Sequence, residues 1–131
     1  MSIITQEMKD LLTTRQCIVA TASKSGVPNA GPKGSVVVVD DSTLAFAELA
    51  NKKTAANLRE NPKACVVVVD FQNHKGFSFV GNVTLEQSGP MYDQFVKQLE
   101  AMKMPPPVFV AKVAVEAIYD LGSANPGEKI G

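Results

Sequence analysis

Apolar residues recur at helical spacing over residues 3–14, where Ile4, Met8, Leu11 and Leu12 are separated by polar positions that include Glu7 and Asp10. That spacing predicts a short amphipathic helix laid on a core, with Thr5 as its N-cap. From residue 16 the pattern changes to that of strands. Residues 16–22 are a β-branched run, and Ser23-Lys24-Ser25-Gly26-Val27-Pro28 is turn chemistry in which Gly26 is free to take positive φ. The following segment opens irregularly with Asn29-Ala30-Gly31-Pro32-Lys33-Gly34-Ser35 and then becomes Val36-Val37-Val38-Val39 before the turn Asp40-Asp41-Ser42. Glycines and a proline in a strand approach mark an edge, a bulge, or a place where another group needs the backbone.

Residues 43–48 alternate as a third strand, and residues 51–60 read as a short helix stopped by Pro62. A buried fourth strand, 63–70, follows directly. After a polar turn at 71–76, residues 77–86 alternate into a long fifth strand, inside which Gly81 suggests a bulge or a close backbone approach. Ser88-Gly89-Pro90 begins a second main helix carrying Met91, Tyr92, Phe95, Val96, Leu99 and Met102 at helical spacing; Pro90 suits its first position and Pro105-Pro106-Pro107 ends it. Residues 108–121 form the last strand, and 122–131 are a polar tail without a core pattern. Strands that are adjacent in sequence and joined by short turns predict a mainly β fold: a six-stranded antiparallel barrel of Greek-key type with peripheral helices.

Composition narrows the function more than the fold. A chain of 131 residues suits one domain, expected over 1–131. With 45% hydrophobic and 20% charged residues it has an ordinary globular balance, and no run approaches the ~18 apolar residues of a membrane-spanning helix. Thirteen basic and thirteen acidic residues cancel, so no global basic field recommends a nucleic-acid partner. The first eight residues show no secretory pattern, which makes the cytoplasm the expected compartment and a membrane partner unexpected. Cys17 and Cys65 lie in apolar runs outside any metal-ligand spacing, so both are expected to be structural thiols, and no metal site is expected.

The candidate chemistry lies at the start of the short helix. A helix N-terminus presents unpaired N–H groups and a partial positive charge, and Lys52, Lys53 and Thr54 add two ammonium groups and a hydroxyl there. Cations at that end are disfavoured by a few tenths to ~1 kcal/mol, a penalty that a bound anion would remove. Lys33 has two readings, an edge-strand charge that prevents strand addition or a ligand contact. His74, the single histidine, reads as a surface residue of a polar turn.

Three local signatures, in order, resemble the FMN-binding split β-barrel proteins related to pyridoxamine 5'-phosphate oxidase. They are Thr21 followed by Gly26-Val27-Pro28, then Lys53-Thr54-Ala55-Ala56-Asn57-Leu58-Arg59-Glu60-Asn61-Pro62, then Phe79-Val80-Gly81-Asn82-Val83. The resemblance covers nearly the whole chain and implies a homodimer with FMN in a groove between the subunits. It implies that Lys53 and Thr54 contact the phosphate, that Lys33, Gly34 and Ser35 lie along the flavin, that Ala47 and Glu48 do so from the next strand, and that Asn57 supports the loop from inside. The implied role is that of an oxidoreductase or electron-transfer protein in which the flavin does the chemistry, so no catalytic side chain is assigned. Members that oxidise pyridoxamine phosphate carry further basic residues; here Arg15, Arg59 and His74 are scattered, which argues against vitamin B6 oxidation. The alternative reading is a non-catalytic module on the same barrel that holds haem or another small ligand.

Overall fold

A computed structural model describes residues 3–131. Helix α1 (Gln6–Thr14) begins where expected: the Thr5 hydroxyl accepts from the Met8 N–H at 3.4 Å, and Met8, Leu11 and Leu12 are buried. Strands β1 (Cys17–Ala22) and β2 (Pro28–Lys33) form a hairpin, closed by a turn in which Gly26 takes φ +93°. Then come β3 (Val37–Asp40), β4 (Thr43–Glu48), helix α2 (Lys53–Glu60), β5 (Lys63–Asp70), β6 (Lys75–Glu86), helix α3 (Pro90–Ala101), β7 (Phe109–Asp120) and the two-residue β8 (Glu128–Lys129). Pro90 occupies the first turn of α3, the position at which its missing N–H matters least.

The strands form one antiparallel sheet in the order β2-β1-β5-β6-β7-β4-β3, with β8 on the free length of β7. The fold is the expected mainly antiparallel split barrel, and it differs from the sequence reading in three details. Eight strands replace six, because the segment read as one strand from 29 to 39 divides into β2 and β3, and because the tail contributes β8. The tail carries no core pattern since backbone groups hold it: Ile130 N–H donates to the Ile118 carbonyl at 2.8 Å, and Gly127 N–H to that of Asp120 at 2.6 Å. The sheet also does not close, because β2 and β3 end the hydrogen-bonded path without pairing with each other.

Inside the curled sheet, Phe46, Phe79, Phe109, Leu44 and Ile118 are fully buried together with the inner face of α1. A second, smaller apolar cluster lies under α3, where Phe95 and Leu99 pack on Ala45, Ala47 and Val110. The two longest strands, β6 and β7, pair through a register shift between Val80 and Gly81. There a Cβ on residue 81 would stand 2.1 Å from the Ala114 carbonyl oxygen, so only glycine permits the bulge.

Candidate functional site

The failure of β2 and β3 to pair opens a cleft of about 480 Å³ beside α3. Its floor is the connection from Pro32 to Val37, its side wall is Ala47, Leu49 and Ala50, and α3 covers it with Phe95, Gln98 and Leu99. Met102 and Met104, just past α3, line its outer rim and are themselves well exposed.

The local chemistry explains why the chain opens here. Ser35 Oγ accepts the Ala47 N–H at 3.0 Å, so a side chain satisfies the β4 donor just past the β3–β4 ladder. Lys33 turns to Glu48: its ammonium donates to one carboxylate oxygen, while the other accepts the Ala50 N–H at 3.1 Å. Glu48 is 2% exposed and the Lys33 side chain 17%, so the floor holds a nearly sealed, mutually neutralised ion pair, with the Lys33 ammonium also 5.9 Å from the centre of the Phe46 ring.

At the other end of β2, Asn29 Nδ2 donates to Thr54 Oγ1 at 3.2 Å, which ties the first turn of α2 to the strand. No side chain caps α2; Lys52 stands at its N-cap position and Asn51 before it takes φ +49°. Among the described residues neither Lys52 nor Lys53 has an ion-pair partner, and both are exposed. Asn57, buried in the same helix, donates to Thr21 Oγ1 of β1 at 3.1 Å, and Asn61 Nδ2 reaches the Ala22 carbonyl at 3.2 Å, so α2 is pinned along the β1–β2 hairpin. Asn29, Gly31 and Lys33 share one face of β2 because side chains alternate along a strand. A Cβ on residue 31 would meet nothing within 4 Å, so the backbone between the two ends of the site lies open to an approaching group.

The structure therefore brings Lys33, Gly34, Ser35 and Ala47 onto the cleft. It places Glu48 beneath them as the partner of Lys33, sets Lys53 and Thr54 at the Asn29 end, and puts Asn57 inside as a brace. Sequence reasoning marked the glycines of this segment as a place where a group could reach the backbone but singled out neither Asn29 nor the α3 wall; the methionines just past the helix end, Met102 and Met104, were the available sign for that wall. The scattered basic residues are engaged elsewhere. Arg15 faces Asp70 at 3.5 Å, and Arg59 donates to Asn51 Oδ1 at 2.6 Å and stacks over Phe109, while His74 sits beside Phe71 in the β5–β6 turn. Among the described residues no group of His, Cys, Asp or Glu side chains is arranged to hold a metal ion, and no helix is long and apolar enough to cross a membrane.

A model of the pyridoxamine 5'-phosphate oxidase family matches residues 4–122. The chain belongs to this family. The HupZ protein of Group A Streptococcus is 35% identical in a solved structure that superposes with a TM-score of 0.88, covering 98% of this chain and 100% of that one. An FMN-binding protein from Syntrophomonas wolfei shares the fold at a TM-score of 0.75 with 18% identity, over 87% of this chain and 83% of its own. An uncharacterized protein of Methanocaldococcus jannaschii is 25% identical, with 97% of this chain and 87% of that protein covered.

Proposed function

We propose that this chain is an FMN-binding flavoprotein, acting as an oxidoreductase or electron-transfer protein, and that it works as a homodimer with the cofactor at the subunit interface. The observation that carries the reading is the inner face of β2. An open glycine backbone at Gly31 is flanked by Asn29, bonded to the first turn of α2, and by Lys33, neutralised by Glu48 at the apolar cleft. The two ends are four residues apart, roughly 13 Å along an extended strand. Exposed lysines stand at one end and, at the other, an apolar cleft whose Lys33 charge is neutralised by Glu48, which suits a ligand with an anionic tail and a flat aromatic head.

In this reading Lys53 and Thr54 would hold the phosphate, where the uncapped N–H groups of α2 add a partial positive charge. Gly34, Ser35 and Ala47 would lie along the ring, with Lys33 held at its edge by Glu48, and Asn57 would keep α2 seated on β1. Bound FMN supplies the hydride and electron chemistry. The chain's own residues bind it, orient it and, through Phe95, Leu99 and Met102, keep water from one side.

The test is a fluorescence-quench titration of the purified protein with FMN and with riboflavin. FMN should bind, and the Lys53→Ala/Thr54→Ala variant should weaken FMN by roughly 10- to 100-fold while changing riboflavin little, since it removes charge-assisted contacts to the phosphate alone. A protein that neither carries nor takes up FMN refutes the cofactor, and equal losses for the two flavins refute the phosphate site.

A further inference from the structure

The cleft does not end beneath α3. It continues past Val37, Phe95 and Gln98 into a narrower groove of about 260 Å³ between β3 and α3. Val37 and Val39 form one wall of this groove, and Met91, Gln94, Phe95 and Gln98 form the other. Gln94 and Gln98 stand about one turn apart in α3, so their amides share a face of the helix. Both residues are exposed, and among the described residues neither side-chain amide has a hydrogen-bond partner. An amide both donates and accepts, so the pair offers either kind of contact along one edge of an otherwise apolar slot. Among the described residues that line the cleft and the groove, Lys33 alone is charged, and Glu48 neutralises it.

We infer that the groove between β3 and α3 seats the second substrate of the flavin, and that this substrate is an uncharged, largely apolar organic molecule with a hydrogen-bonding edge. The inference rests on the flavoprotein reading above and adds the substrate class to it. Continuity selects the place: Val37, Phe95 and Gln98 border both cavities, so an occupant of the groove abuts the cleft assigned to the ring. Charge selects the class. An ionised group entering the groove sheds water and meets no free counter-charge, because Lys33 is already paired, while the exposed lysines Lys52 and Lys53 belong to the Asn29 end of β2. A phosphorylated second substrate is thereby disfavoured. The walls agree, since mostly apolar lining with a few polar groups is the ordinary make-up of a small-molecule site, and Met91 supplies an unbranched, adaptable side chain. Glu48 is then a positioning residue: by holding Lys33 it keeps the slot neutral.

The experiment is equilibrium dialysis of the FMN-loaded full chain against two dyes that share one apolar body: phenylnaphthylamine, which is uncharged, and its sulfonate, which is an anion. The ratio of their dissociation constants is the readout, because altered packing moves both dyes together whereas a charge in the groove moves the anion. Wild type should prefer the uncharged dye. Gln98→Lys puts an ammonium on an exposed position that lines both cavities, and should shift the ratio toward the sulfonate by ~10-fold or more. Glu48→Gln keeps the volume and frees the Lys33 charge, and should shift the ratio the same way by ~3-fold or more. Gln72→Lys, exposed in the β5–β6 turn, should leave it within ~2-fold of wild type. A wild type that takes up neither dye or prefers the sulfonate, a folded Gln98→Lys or Glu48→Gln with an unshifted ratio, or an equal shift in Gln72→Lys each overturns the proposal; if Glu48→Gln fails to fold, Gln98→Lys decides. If the chain takes up no FMN, the dialysis is run without it: the expected shifts then keep the neutral-ligand groove and refute the cofactor, whereas FMN uptake without the shifts does the reverse.

Discussion

Replacing Glu48 by alanine should destabilise the protein even though the residue lies beneath the cleft surface. Glu48 is 2% exposed and holds Lys33 with one oxygen and the Ala50 N–H with the other. Removing one member of a buried ion pair costs ~3–5 kcal/mol, because the charge left behind keeps its desolvation penalty and loses its compensation. Lys33 is less sealed, at 17% exposed, and its long stem can lift the ammonium toward water. The expected cost of Glu48→Ala therefore falls to ~2–3 kcal/mol. Lys33→Ala should cost more, ~3–5 kcal/mol, since the carboxylate it abandons is nearly enclosed and retains only one backbone donor. A Lys33→Met/Glu48→Leu double variant, which removes both charges and keeps the volume, should come within ~1 kcal/mol of wild type. Urea unfolding at one fixed protein concentration measures all four proteins. A double variant that loses the sum of the two single costs, or a Glu48→Ala cost below ~0.5 kcal/mol, would refute the view that this pair is buried and coupled.

Other outcomes follow from neighbouring features. Gly81→Ala places a methyl group 2.1 Å from the Ala114 carbonyl oxygen, and should lower stability by ~3 kcal/mol or more, a fall in melting temperature of about 10 °C; a melt within ~2 °C of wild type would contradict the close approach at the bulge. Gly31→Val meets open space and sits in a strand, so it should leave thermal stability within ~0.5 kcal/mol of wild type while weakening FMN by at least ~10-fold in the quench titration; undiminished FMN binding would mean the ligand does not cross β2 there. Hydrogen bonds from the Asn73 side chain, and then its backbone N–H and Arg15, hold the Asp70 carboxyl below its usual value, so its contribution is complete above the ordinary aspartate pKa of ~3.9 and fades as pH falls through the lowered one. Asp70→Ala should therefore be less stable than wild type at neutral pH, and the gap should close in acid in urea melts; a gap that persists there would assign the loss to packing.

Local rules were legible wherever one residue decides one conformation. Thr5 caps α1, Pro90 opens α3, Gly26 takes the left-handed turn and Gly81 marks the bulge, because each depends on its own backbone and immediate neighbours. The division of 29–39 into β2 and β3 was not legible, since the valine run continues a strand pattern without interruption and the break comes from Ser35 and Lys33 bonding to β4. The same limit hid how the residues of the site are joined. Lys33 and Glu48, Asn29 and Thr54, and Thr21 and Asn57 meet only through the fold, and nothing near each residue announces its partner. β8 escaped because its place rests on backbone groups, to which hydropathy is blind.

The opening of the barrel is thus an exchange of bonds. If β2 continued through residues 34–36 to pair with β3, the backbone would satisfy itself and the cleft would disappear. Instead the Ala47 donor is met by a hydroxyl and the Lys33 ammonium by a carboxylate, two side-chain substitutions that leave the connection free to bow outward. Phe95 and Leu99 then face a gap from α3 that the sheet does not fill. Because Ser35 and Lys33 both bond to β4, their removal should loosen the same connection. Ser35→Ala takes the side-chain acceptor from the Ala47 N–H and should cost ~1–2 kcal/mol, with faster amide exchange at residue 47 than at residue 45, whose strand neighbours remain. Unchanged exchange at Ala47 would mean that the hydroxyl does not hold the cleft open, and the cause of the split would have to be sought in the Lys33–Glu48 pair alone.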